Sequence, residues 1–234
     1  MALTVPDDLV SPAAGFGERF RHLGTRISGR LKLGLKYEVT RYGLRRDLDV
    51  PFAAPKAKIP ISVRPLRTDD LPKLLRVGPG TSAEDRMEIT WRRAFAERHM
   101  SGGYVAIDDR DGSPCYVQWL FGAADNAFVS GLGGFPTLAP DEALLENAYT
   151  PASHRGLGIM PAAMSLIAEQ ATTLGARYVT TFVEVGNIPS LKGCQRCGFA
   201  PDLVHNLTRY AFGLFRSDSY VKLPQGDPRR TPSY

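Results

Sequence analysis

The stretch Tyr149-Thr150-Pro151-Ala152-Ser153-His154-Arg155-Gly156-Leu157-Gly158-Ile159 limits what this chain can fold into more than any other. Residues 143–149 read as a strand that leads into it. Behind it Ile159, Ala163, Leu166, Ile167, Ala171 and Leu174 recur at helical spacing. Pro161 suits a first helical turn, where a missing N–H costs nothing, and Gly175 suits the stop. Residues 177–185, rich in Val, Thr and Phe, read as a second strand. The unit is strand, glycine turn, helix, strand: a crossover whose two strands should lie parallel with a right-handed connection.

The glycines matter because backbone without Cβ approaches an anion closely and leaves its N–H groups pointing outward. Those donors open a helix, where the dipole also favours negative charge. Such a terminus contributes only about 0.3–2 kcal/mol, so a cation must assist, and Arg155 stands beside it. The turn therefore reads as a pyrophosphate cradle. It is no P-loop, because no Gly-Lys-Ser/Thr follows, and the three-glycine dinucleotide fingerprint is missing.

A second signal follows the second strand: Asn187-Ile188-Pro189-Ser190, a helical turn through Cys194, and Gly198-Phe199 as the stop. Arg155-Gly156-Leu157-Gly158-Ile159 and Asn187-x-x-Ser190 ahead of Gly198-Phe199 together resemble the GNAT superfamily of acyl-CoA-dependent N-acyltransferases, over residues 61–215. The resemblance implies an α/β fold: a mixed, mostly antiparallel central sheet with a splayed parallel strand pair and flanking helices. It implies that acetyl-CoA or another acyl-CoA is the co-substrate. Ala148, Tyr149, Thr150, Arg155, Gly156, Leu157, Gly158 and Ile159 would then hold it along the strand end and turn, with Asn187 and Ser190 on the amides of the pantetheine arm. Three positions depart from the family pattern. Ser153 stands for a usual Gln or Arg, Met160 for a frequent third glycine, and Cys194 for a tyrosine that protonates the leaving thiolate.

The amine acceptor sets the demand for a base. With a lysine-like pKa near 10.4, only about one amine in 10³ is free at pH 7, equivalent to roughly 4 kcal/mol. Glu146, on the strand entering the turn, is the leading catalytic candidate, since a carboxylate beside the cleft can take a proton through water. A solvent-facing or ion-paired strand residue is the bland alternative, and Glu142 and Glu184 are weaker candidates. His154 reads as a surface residue. Cys194, a thiol with an ordinary pKa of about 8.5, is the second catalytic candidate, as a proton donor to the thiolate. Cys194 and Cys197 form a CxxC late in a short helix, not at a helix start where such thiols are activated, so neither a redox site nor a metal site is expected.

The rest of the chain frames this module. At 234 residues, 43% hydrophobic and 23% charged, it suits one medium domain plus an extension. No apolar run approaches the roughly 18 residues of a membrane span. The first residues lack a basic and apolar leader pattern, and three cysteines make no disulfide framework; both fit a reducing cytoplasm. Between Phe16 and Arg46, nine Lys or Arg stand against Glu18 and Glu38, an excess of +7 that leaves −2 elsewhere.

Residues 1–58 are thus expected as a basic extension and Pro-rich linker, 59–223 as the acyltransferase domain, and 224–234 as a disordered tail. Phe16, Phe20, Leu23, Ile27 and Leu31 give the extension an amphipathic helical pattern. It could pack on the domain, lie on an anionic membrane, or meet an anionic substrate or partner such as a carrier protein. Residues 37–42 fit an added edge strand, and Pro51, Pro55 and Pro60 mark the linker.

Residues 61–66 read as a strand, and Thr68-Asp69-Asp70 caps a helix through Leu75. Residues 82–98 read as a second helix with Met87, Trp91, Ala94 and Phe95 inward. Residues 104–107 and 115–121 read as a hairpin, 131–140 as a Gly/Pro-rich loop, and 203–214 and 220–223 as closing strands.

The function expected is transfer of an acyl group, most simply acetyl, to a small-molecule amine or amino-sugar acceptor. Two rivals stay open: a non-catalytic acyl-CoA-sensing or partner-docking module, and acyl transfer from a carrier protein. No nucleic-acid partner is expected, and a homodimer stays open.

Overall fold

The computed structural model describes residues 36–211 and 214–232. The amphipathic pattern of residues 16–31 lies outside the described residues. In chain order the elements are β1 (Lys36–Asp47), β2 (Ile61–Pro65), a 3-10 turn at Thr68–Asp70 running into α1 (Leu71–Leu74), α2 (Ala83–Arg98), β3 (Gly103–Asp108), β4 (Ser113–Gly122) and α3 (Asn126–Leu132). There follow β5 (Glu142–Tyr149), α4 (Ile159–Glu169), β6 (Tyr178–Glu184), α5 (Ile188–Arg196), β7 (Ala200–Tyr210) and β8 (Phe215–Lys222).

All eight strands form one sheet in the order β2-β3-β4-β5-β6-β1-β7-β8. Every neighbouring pair is antiparallel except β5–β6, the parallel pair expected from the crossover. The expectation of a mixed, mostly antiparallel sheet with flanking helices holds. Helices α4 and α5 cover one face, packing Ile159, Met164, Ile167 and Leu191, with Phe199 just beyond α5, against Tyr116, Leu145 and Val183. On the other face α1, α2 and α3 bring Leu74, Ile89, Phe95 and Val129 onto Trp119, Phe121, Leu144 and Phe182. Phe95 meets Trp119 edge to face at 5.0 Å, and truncating such a ring costs about 3–5 kcal/mol.

Strand β1 corrects the expectation of an edge strand. It lies inside the sheet, pairing with β6 on one side and β7 on the other. Its arginines are accordingly not a solvated basic face. Arg46 is 5% exposed and donates to Ser165 Oγ (3.0 Å), with Glu169 at 3.4 Å, while Arg45 meets Glu142 at 3.4 Å. The described part of residues 1–58 thus adds a strand to the sheet built by residues 61–222.

Smaller corrections follow the same logic of partners. Met87 is 57% exposed; α2 instead turns Ile89, Arg92, Phe95 and Ala96 inward. The first-turn cap is Ser82, whose side chain accepts from the Asp85 N–H at 3.0 Å. The closing strands start earlier than expected, at Ala200 and Phe215. In the tail, Pro228–Arg230 form a 3-10 turn, and Arg230 donates to Asp202 (2.8 Å) and to the Leu223 carbonyl (2.9 Å).

Candidate active site

The parallel ladder between β5 and β6 is short. Pairing runs from Glu142↔Tyr178 to Leu144↔Thr180 and stops there, although β5 continues to Tyr149 and β6 to Glu184. Beyond Leu144 the two strands part, leaving a cleft whose walls are their unpaired backbone edges. The cause is visible on the β4 side. Val117 pairs with Tyr149 and Trp119 with Glu146, so Asn147 and Ala148 stand opposite Gln118 alone. This β-bulge carries Asn147 at φ 60°, a left-handed conformation that asparagine tolerates better than most residues. Arg92, buried on α2, donates through Nη1 to the Asn147 carbonyl (3.1 Å) and to Asn147 Oδ1, and through Nη2 to Glu88 (2.7 Å).

Glu146 sits at the point of parting. It is half-buried, and its Oε2 has no hydrogen-bond partner among the described residues. Burial raises its pKa; the nearby Arg41 charge, the Asn147 N–H and Arg92 pull it back. A buried carboxyl shifted upward in this way holds a proton more tightly than an exposed one.

At the far end of β5 lies the glycine turn. Gly156 and Gly158 have φ of 77° and 70°, and Gly158 is the N-cap of α4. A side chain at Gly158 would be strained by that backbone, which is why glycine is needed there. The N–H groups of Gly156, Leu157 and Gly158 reach no backbone acceptor among the described residues, and the space a Cβ would fill at Gly156 is open. These are free donors at a helix start, so the turn fits a diphosphate.

Three further contacts fix the turn. Lys58 N–H donates to the Leu157 carbonyl (2.8 Å), so the residues before β2 lie against it; Lys56 and Lys58 are both exposed there. His154 Nε2 is 3.7 Å from Asp108, a residue 1% exposed on β3. Arg155 donates to the Thr150 carbonyl (3.1 Å) and reaches Asp85 at 3.6 Å, with half its side chain exposed.

The remaining expected residues are placed as follows. Tyr149 is buried, with the Arg92 guanidinium 5.0 Å from its ring centre. Asn187 is the N-cap of α5, its Oδ1 accepting from the Ser190 N–H at 3.3 Å, so this oxygen is already engaged. Ile159 is in the core. Cys194 is a correction. Its thiol is 1% exposed, packs 3.9 Å from Met164 Sδ, and is pushed up to about 12 by burial and then by Glu146. A thiol that weak in acidity and that enclosed is a poor proton donor to a thiolate in the cleft.

Glu142 is committed to Arg45 and to the Ala139 N–H. Cys115, Cys194 and Cys197 are free and buried, and no cluster of metal-ligating side chains occurs among the described residues. Sequence reasoning did not find Arg92 or Lys56 and Lys58; the basic pair ahead of Ile59 was the available signal for the latter.

The family model of the acetyltransferase (GNAT) domain matches residues 61–200. No curated protein is matched by the sequence. Among solved structures, the GCN5-related glucosamine N-acetyltransferase region of a fungal multi-domain GH3 β-N-acetylglucosaminidase aligns with a TM-score of 0.54 at 14% identity, covering 85% of this chain and 23% of that one. A GCN5-related N-acetyltransferase from Sphaerobacter thermophilus aligns at 0.47 and 13% identity, over 84% of this chain and 57% of that chain. A GNAT-family acetyltransferase from Colwellia psychrerythraea gives 0.46 and 13%, over 92% and 75%. This chain therefore spans little more than half of the Sphaerobacter protein. The family match covers more than half of the sequence and takes in both the parting strands and the glycine turn: the chain belongs to the GNAT acetyltransferase family.

Proposed function

We propose that the protein transfers an acetyl group from acetyl-CoA to the amine of a small-molecule acceptor, sugar amines included. The observation that carries this reading is the parting of β5 and β6 after Leu144, with Glu146 at the point of parting and free turn donors at the far end. Gly156, Leu157 and Gly158 would bind the diphosphate through their N–H groups, with Arg155, Lys56 and Lys58 supplying positive charge. Asn187 and Ser190, at the start of α5, would hold the amides of the pantetheine arm. Acetyl-CoA supplies an acetyl group activated as a thioester.

Glu146 takes the proton that the amine loses as it attacks, either directly or through one water. Its raised pKa makes it a stronger base than an exposed carboxylate, with the Arg41 charge acting against that rise. Cys194 has no step in this reading. A cytoplasmic location belongs to the same reading, motivated by three free cysteines.

Calorimetry with coenzyme A and a thiol-release assay with an amine panel test it together. Gly158→Asp places a carboxylate against the diphosphate and should abolish coenzyme A binding while the fold survives. Unchanged affinity in that variant sinks the turn assignment. A wild-type protein that binds acetyl-CoA but acetylates no amine leaves an acyl-CoA-sensing module as the function.

A further inference from the structure

Strand β1 brings one arginine onto the same sheet face as Glu146. Leu144 is in register with Thr180, so Glu146 shares a face with Thr180, Phe182 and Glu184; Arg41 is paired directly with Glu184 and, across β1, with His205. Arg41 is half-buried, and all of its partners are neutral. Its Nη2 donates to the Gly134 carbonyl (2.7 Å), its Nε donates to His205 Nδ1 (3.2 Å), and its guanidinium lies 5.2 Å and 5.5 Å from the rings of Phe135 and Phe182. Among the described residues no carboxylate comes within 4.0 Å of it. Arg45, Arg46, Arg64 and Arg92 each meet one. A guanidinium taken partly out of water and left without an ion-pair contact is a receptor for an anion.

The surroundings hold Arg41 in place without neutralising it. To accept from Arg41, His205 must carry its proton on Nε2, where it donates to Asp218 (2.7 Å); burial, the largest influence on this ring, lowers its pKa and favours the uncharged form. Tyr220 stacks on the imidazole at 4.4 Å. Asp218 in turn is paired with Arg216, so its charge is spent there. The Gly133–Gly134 turn closes over both arginines. A Cβ on Gly134 would come within 2.7 Å of Arg41 Nη2, and the backbone there has φ 79°, so only glycine lets the loop carbonyl reach the guanidinium.

We propose that Arg41 selects the acceptor, and that the acceptor is an amine that also carries a carboxylate, bound with its amine toward Glu146 and its carboxylate on Arg41. This rests on the acetyltransferase reading above. A single free guanidinium matches one negative charge, whereas a phosphate with ≈ −1.5 to −2 would leave charge uncompensated beside Glu146 and Glu184.

The test uses the full chain and pairs of amines that differ only in charge: free amino acids and the corresponding amino-acid amides, with glucosamine as an acceptor lacking a carboxylate. Binding to the coenzyme A-loaded protein is read by calorimetry and turnover by thiol release. The acids should exceed their amides by at least roughly tenfold in affinity and in kcat/KM, the scale of a charge-assisted hydrogen bond. Arg41→Gln should abolish that preference mainly through KM, leave coenzyme A affinity unchanged, and be partly rescued by Arg41→Lys. Equal binding of acids and amides by the wild type overturns the proposal without any variant having to fold. So does a preference that survives in Arg41→Gln. Loss of coenzyme A binding by the wild type would instead strike the acetyltransferase reading.

Discussion

Arg92 on α2 grips Asn147 on β5 at two atoms, donating to the backbone carbonyl and to the side-chain Oδ1 of the same residue. A helix arginine thereby fixes the left-handed bulge next to Glu146. The bulge should then depend on Asn147 for conformation and on Arg92 for its hold. Asn147→Gly should keep the backbone, while Asn147→Val should cost about 1–2 kcal/mol more, the penalty of a left-handed residue with a branched side chain. Arg92→Met, near the arginine in length, should lower kcat more than it lowers coenzyme A affinity. Thermal melts and single-turnover rates check both; equal melts for the two Asn147 variants would show that the bulge relaxes.

Glu146 should leave two opposite marks on pH profiles. Its folded pKa is raised above 4.5, so the folded state binds the proton more tightly than the unfolded chain. Stability is therefore lost as pH rises through that window. Glu146→Gln removes the effect and should melt progressively higher than wild type as pH rises above 4.5. Its kcat/KM should fall, with the deficit shrinking between pH 6 and 9 as roughly three decades more free amine appear. A wild-type rate across that range would remove Glu146 from catalysis.

Asp108 should give the reverse sign. Hydrogen bonds from Arg110 hold its carboxyl down at about 2, from 3.8. That stabilisation is present above 3.8 and is lost as pH falls toward 2. Asp108→Asn should therefore melt below wild type at neutral pH and converge with it in acid. Because His154 faces the same carboxylate, the variant should also loosen the glycine turn, seen as weaker coenzyme A binding. Parallel melting curves down to pH 2 would contradict this.

Two truncations should separate the strand from what precedes it. Removal of residues 1–50 deletes β1 from between β6 and β7, and that chain should not unfold cooperatively. Removal of residues 1–35 leaves β1 in place. The difference between the two, in melting and in soluble yield, measures what the strand contributes; equal behaviour would mean that β6 and β7 can close on each other.

The region from residue 143 to 200 was legible because its signals are local. The glycine turn, the 3.6-residue periodicity of α4 and the β-rich run of β6 each declare themselves within a dozen residues. Strand β1 was not, because its partners are remote. Arg41, Arg45 and Arg46 read only as part of a basic extension until Gly134, His205, Glu142, Ser165 and Glu169 arrive from elsewhere in the sequence. Arg92 was missed for the same reason, and with it the true phase of α2: an arginine counts as an outward residue unless its buried partner is known. In the candidate site the cradle was readable from backbone chemistry alone. The fate of Cys194 was not, since only packing decides whether a thiol meets the cleft or Met164.

The position of β1 also has a consequence for how the chain is made. It precedes every other described strand in the sequence, yet its hydrogen-bonding edges belong to β6 and β7, with Arg41 and His205 separated by 164 residues. The crossover from β5 to β6 can form from nearby sequence during synthesis, but the sheet cannot close until β7 has emerged. Pairings of such long range are slow to form and leave strand edges unprotected meanwhile. The earliest described strand to be translated is thus among the last to be seated, and the emergence of β7, not of β1, sets when the sheet can first close around it.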